Sequence, residues 1–175
     1  TNEVVVSNQF SIFVVGTGGF NGPRNSDKVV ETKTKPNRSP DHSTLYQTSI
    51  DQAALYRLSG DSNPLHIDPS FAGKSGFEKP ILHGLCTEGI AVREITSVFS
   101  PTDASKVRAV KARFAKPVFP GQTIRTNMWN EGAYILFECI VEETGKPCLT
   151  GGWIKLSQDL ETEVFSGNNS VQQGC

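Results

Sequence analysis

The sequence predicts an α+β domain in which one long helix lies against an antiparallel sheet, and three observations carry that prediction. Residues 84–99 place Ala91, Val92, Ile95, Val98 and Phe99 at the i, i+1, i+4, i+7, i+8 spacing of a buried helical stripe. Four segments rich in β-branched and aromatic residues follow, at 106–114, 123–130, 133–142 and 148–156, separated by Pro- and Gly-containing turns. The chain has 175 residues, enough for one domain with tails and too few for two comfortable ones. A meander of strands after a single long helix packs by laying the helix on one sheet face.

Residues 10–15 have the apolar, β-branched character of a buried strand and run into a glycine-rich turn, Gly16 to Pro23. That turn is not a dinucleotide fingerprint, because G-x-G-x-x-G needs glycine where Asn21 stands and a helical pattern that does not follow. The strand is too small to bury a core alone and must pack on something else. Residues 31–43 are polar, carry Pro36 and Pro40, and read as a linker. The main domain is expected over 44–157, opening with a short strand at 44–50 and a helix over 52–58 capped by Asp51 and stopped by Gly60. Asp68 and Pro69 supply the cap and first position of a second short helix. Residues 158–175 have no apolar pattern and are expected to be a disordered tail.

Composition excludes several functions. A net charge of −1 provides no field to gather nucleic acid or an acidic membrane surface. The longest apolar runs fall far short of the roughly 20 residues a spanning helix needs. Cys86, Cys139, Cys148 and Cys175 are irregularly spaced, without a CxxC pair, and read as free thiols in a reducing compartment rather than zinc ligands or a disulfide framework.

The densest polar chemistry lies in residues 55–85. Taken alone, Asp61-Ser62-Asn63-Pro64 reads as a turn, since Asp and Asn bond nearby backbone and Pro fixes φ. A calcium loop fails, because Leu65 and His66 stand where an acid or amide and a glycine are required. Nothing in the spacing of His66, Asp68 and His83 selects a metal, and none is expected. The catalytic reading pairs Asp61 with His66 as an acid and base sharing one water, held on a turn stiffened by proline. Gly84 opens the long helix, where unpartnered N–H groups and a partial positive charge suit an anion forming on a substrate carbonyl. His83 is read as positioning that turn, with contact to substrate as a second role. Lys111, Arg113 and Lys116 near the Phe119-Pro120-Gly121 turn, and Arg24 and Lys28 after the glycine loop, are candidates for phosphate contacts.

The run from Tyr56 to Pro69, YRLSGDSNPLHIDP, resembles the signature of the (R)-specific 2-enoyl-CoA hydratases, the hydratase 2 or MaoC-like dehydratase family. Two further motifs support the likeness, KPILHGL at 79–85 and KARFAKPVFPG at 111–121. The resemblance implies a hot-dog fold, a long central helix wrapped by a curved antiparallel sheet. It implies reversible addition of water to a trans-2-enoyl-CoA, giving the (3R)-hydroxyacyl-CoA of fatty-acid β-oxidation. On that analogy Asp61 and His66 activate the water and deliver the proton, Asn63 helps hold the water, and the Gly84 amide stabilises the enolate-like oxygen. No metal or redox cofactor is implied, CoA arriving only with the substrate. Family members of this type carry two hot-dog repeats, so residues 1–30 correspond to the end of a first repeat, and a homo-oligomer or a second hot-dog domain is the expected partner. The family suggests a peroxisome, with cytoplasm or mitochondria as alternatives; Gln172-Gln173-Gly174-Cys175 is not a Ser-Lys-Leu address. A hot-dog thioesterase and an inactive acyl-CoA-binding module are the rival readings.

Overall fold

A computed structural model describes residues 3–12, 14, 16–23 and 26–157. Five strands form one antiparallel sheet, β1 (His42–Gln47), β2 (Val107–Phe114), β3 (Thr123–Asn130), β4 (Ile135–Val141) and β5 (Lys146–Leu156), in the order β1-β3-β4-β5-β2. The last three are the expected meander, and β2 returns to pair with β5 as an edge. Helix α3 (Gly84–Phe99) occupies the predicted span and touches β1, β2, β3 and β5, so the sheet curves around it. Ile90, Ala91 and Ile95 bury against Ile124, Met128, Phe137 and Ile154, whose alternation along each strand turns one side chain in two toward the helix. The α+β hot-dog arrangement expected from the sequence is the one observed.

Strand β5 carries a bulge at the Gly151-Gly152 step, visible as a register slip against both β2 and β4. Gly151 has φ +57°, the left-handed region glycine enters without penalty, and the extra residue bends the sheet toward α3. Gly152 is glycine for another reason: a Cβ there would lie 2.7 Å from the buried Phe137 ring.

The short elements between β1 and α3 build the turn region. Helix α1 (Gln52–Arg57) begins after Asp51, whose side chain makes no cap bond, against expectation; its amide instead donates to Ser49 Oγ at 3.2 Å. Gly60, at φ +116°, ends the α1 turn as predicted. Asp68 caps α2 (Pro69–Lys74) as expected, its Oδ1 accepting from the Ser70 amide at 2.8 Å.

Three expectations are corrected. Strand β1 runs from 42 to 47 rather than 44 to 50, because pairing with β3 starts at Met128 opposite His42. Residues 10–12 and 14 form no strand, and Phe10, Ile12 and Val14 stand exposed. A strand needs an edge to pair with, and neither sheet edge receives this segment. Residues 31–41, read as a linker, are a strap fastened across the outer face of the sheet. Trp153 Nε1 donates to the Glu31 carbonyl at 3.0 Å, Trp129 Nε1 to the Arg38 carbonyl at 3.1 Å, and the Lys33 amide to the Gly151 carbonyl at 3.2 Å. Lys33 Nζ lies over the Tyr134 ring and Lys35 Nζ bonds Glu138 at 2.6 Å. Under the strap, Trp129, Leu136 and Trp153 form a second apolar cluster. The expected tail at 158–175 and Cys175 lie outside the described residues.

Candidate active site

A 3-10 turn at Pro64–His66 presents the polar stretch. Its cap is Asn63, whose Oδ1 accepts from the Leu65 amide at 3.0 Å, while Asp61 Oδ1 accepts from the Asn63 amide at 3.1 Å. The turn chemistry and the catalytic arrangement therefore use the same residues: the bonds that fix the turn also fix Asp61. His66 is swung inward, buried, with Nδ1 2.8 Å from the Ile81 carbonyl. A carbonyl can only accept, so Nδ1 donates a proton to it, which leaves Nε2 as the ring atom for proton transfer.

His83 joins them. Its ring stacks on His66 at 3.7 Å between centroids and meets Tyr56 at 4.8 Å. Nε2 stands 4.0 Å from Asp61 Oδ2, and one ligand atom from each of Asp61, His66 and His83 lies within 4.8 Å of the others. His83 is 1% exposed and neither ring nitrogen has a hydrogen-bond partner. Burial, with the neighbouring His66 adding to it and Asp61 opposing, pushes its pKa below the ordinary histidine value, so the ring is held neutral. Asp61 is exposed, and the group opens to solvent on its side. Asp68, considered with the histidines as a ligand, is committed to capping α2.

A cleft of about 230 Å³ opens beside the dyad, lined by His66, Gly84, Thr87, Phe114, Lys116 and Cys148 among others. Gly84 is the first residue of α3 and so places a free helix-start amide at this wall. Among the described basic candidates, only Lys116 lines the cleft. Lys111 and Arg113 sit on β2 opposite Trp153 and Thr150, and Lys111 faces Glu88, whose carboxyl is pushed up by burial. Lys28 lies exposed in the N-terminal segment, its carbonyl bonded by Gln9. Arg24 lies outside the described residues.

Sequence reasoning missed Tyr56 and Phe114. Both lie inside the motifs that carry the resemblance, Tyr56 five residues before Asp61 and Phe114 within KARFAKPVFPG. Their half-buried aromatic rings read as ordinary packing until the fold brings them to His83 and Gly84.

Comparison with known proteins agrees with this geometry. The family model described as MaoC like domain matches residues 31–151. Peroxisomal multifunctional enzyme type 2 of Mus musculus is 54% identical over 172 residues, covering 97% of this chain and 23% of that protein. The structure of full-length peroxisomal multifunctional enzyme type 2 from Drosophila melanogaster superimposes with a TM-score of 0.75 at 49% identity, over 77% of this chain and 25% of that one. A probable enoyl-CoA hydratase 2 from Dictyostelium discoideum is 44% identical over 155 residues, covering 87% of this chain and 52% of its own. The chain thus spans about a quarter of its multifunctional relatives and half of the shorter hydratase.

Proposed function

Because the chain belongs to the MaoC-like family, we propose that it is the catalytic half of an (R)-specific 2-enoyl-CoA hydratase, adding water reversibly to trans-2-enoyl-CoA. The observation that carries this reading is the convergence of Asp61 and His66 on one point beside the opening amide of α3. A water between the two carboxyl and imidazole groups gives its proton to the dyad as its oxygen bonds C3 of the substrate. The C2–C3 π pair moves toward the thioester carbonyl, whose developing negative charge meets the Gly84 N–H and the positive end of α3. The dyad then returns a proton to C2, leaving the hydroxyl on C3. Asn63 holds the turn and, through it, the direction of Asp61. These steps are acid–base chemistry with no electron transfer, and we assign no metal or redox cofactor.

The names of the mouse and fly relatives support a peroxisomal setting. Residues 1–30 we assign to the end of a preceding hot-dog repeat, with 44–157 as the catalytic domain. A second hot-dog layer, from a longer chain or another copy, would cover the exposed Ile67, Phe71, Leu85 and Val110. Lys116, at the cleft, is the first candidate for a CoA phosphate. Hydration of crotonyl-CoA, followed as loss of enoyl absorbance, tests the activity. Asp61→Ala and His66→Ala should each lower kcat by about 100-fold or more with circular dichroism unchanged. Near-normal turnover in both variants would sink the assignment, and thiol release without loss of enoyl absorbance would replace it with thioester hydrolysis.

A further inference from the structure

We propose that Phe114 is a positioning residue for the substrate carbonyl: its ring lies against Gly84 and sets how the carbonyl meets the Gly84 amide. The identity of that carbonyl as a thioester rests on the hydratase reading; the Phe114–Gly84 relation does not.

Glycine is required in a fold for a left-handed backbone or for close approach of another group. Gly84 is not among the glycines of positive φ, so an L-residue could adopt its backbone without strain. What a side chain there would meet is Phe114: a Cβ would lie 3.0 Å from both Cδ1 and Cε1 of that ring, tighter than ordinary contact. A methyl at residue 84 would therefore push the Phe114 ring aside by a few tenths of an ångström.

Phe114 itself is not there for the core. It is 49% exposed at the end of the edge strand β2, outside the buried cluster that α3 makes with the sheet. Its backbone is nonetheless fixed, paired with Leu149 on β5 and followed by the Ala115 amide donating to the Cys148 carbonyl at 2.9 Å. A rigidly based aromatic ring, half exposed, stands beside the one helix-start amide on the cleft wall, with His66 lining the same cleft. Placed so, the ring shields one side of the Gly84 N–H from water, which strengthens that donor for a developing oxyanion. It also restricts the side from which a carbonyl reaches the amide. Misplacement by about 1 Å at such a contact can cost on the order of 100-fold in rate.

The test uses the whole chain, Phe114→Ala, Phe114→Leu and Gly84→Ala, and the Phe114→Ala/Gly84→Ala double variant, assayed with crotonyl-CoA. Phe114→Ala should lower kcat by about 10- to 100-fold with KM changing far less, and Phe114→Leu should recover part of the loss. Gly84→Ala should cost several-fold less in the Phe114→Ala background than in the parent, because the ring that its methyl strikes is gone. A Phe114→Ala enzyme with kcat near that of the parent, a loss wholly in KM, or strictly additive effects would each overturn the proposal. Acetoacetyl-CoA gives a readout without turnover, since its enolate absorbs in the near ultraviolet and reports the oxyanion contact. If the parent chain hydrates no crotonyl-CoA, the hydratase reading falls. The same non-additivity in enolate absorbance would then still support the Phe114 role, and its absence would overturn that role too.

Discussion

At the scale of single residues, His83 holds a charge-sensitive position. A proton on this ring would sit in a site 1% exposed, stacked on a second imidazole and near the Arg57 cation, opposed by the Asp61 backbone and by the Asp61 carboxyl at 4.0 Å. Burial lowers its folded pKa below the ordinary histidine value of about 6.5, so the unfolded chain binds the proton more readily. Stability from the neutral ring is then complete above about pH 6.5 and is lost as pH falls toward the folded value, the sign linkage requires when the unfolded state holds more protons. Urea midpoints between pH 7 and 5 should therefore fall in the parent and fall less steeply in His83→Phe, which keeps a ring for Tyr56 and His66 to stack on. Parallel slopes would show that His83 is not the titrating group. The buried thiols are silent across this range: burial pushes Cys148 up to about 11 and Cys139 and Cys86 upward as well.

At the scale of elements, two adjacent glycines in β5 separate two jobs of one bulge. Gly151→Ala puts a methyl at a backbone of φ +57° and 2.7 Å from Thr32 Cβ, so the strap must shift. Gly152→Ala drives a methyl into the buried Phe137 ring, an overpacking that costs about 1–3 kcal/mol. Both should destabilise, and only Gly151→Ala should speed hydrogen exchange at the Lys33 amide, which bonds the Gly151 carbonyl. Equal exchange at Lys33 in both variants would mean that the strap is not held there. The elements legible in the sequence were those with a period: α3, sixteen residues with a stripe and a proline just past its end, and β3 to β5, split by Gly and Pro turns. The strap was not legible because its fastenings are backbone carbonyls, which every residue supplies, met by indoles more than 90 residues away. The strand expected at 10–15 is absent from its described residues, 10–12 and 14, for the reverse reason: the apolar alternation is real, but no described sheet edge pairs with it.

At the scale of the whole molecule, one sheet face is filled by α3 and the other by the strap, yet large apolar side chains remain exposed near the cleft and along the N-terminal segment. Ile67, Phe71, Leu85 and Val110 on the domain, and Phe10, Ile12 and Val14 before it, suit burial against a second hot-dog layer. Light scattering should therefore give at least twice the mass of one chain at micromolar concentration, reduced by Leu85→Asp with Val110→Asp. A monomer with full activity would remove the need for a second layer. The catalytic turn was readable in the sequence as Asp61, Asn63 and His66 because local spacing brings them together. The His66–His83 stack was not, since the rings are seventeen positions apart in sequence and meet only in the folded chain.

The strap has an optical consequence. Both tryptophans of the chain, Trp129 and Trp153, lie beneath it with their indole N–H groups bonded to its carbonyls, and neither lines the cleft. Intrinsic emission is therefore tuned to whether the strap is seated. Its colour and quenching follow water reaching one side of the sheet, while an acyl-CoA entering from the other leaves them dark to the event.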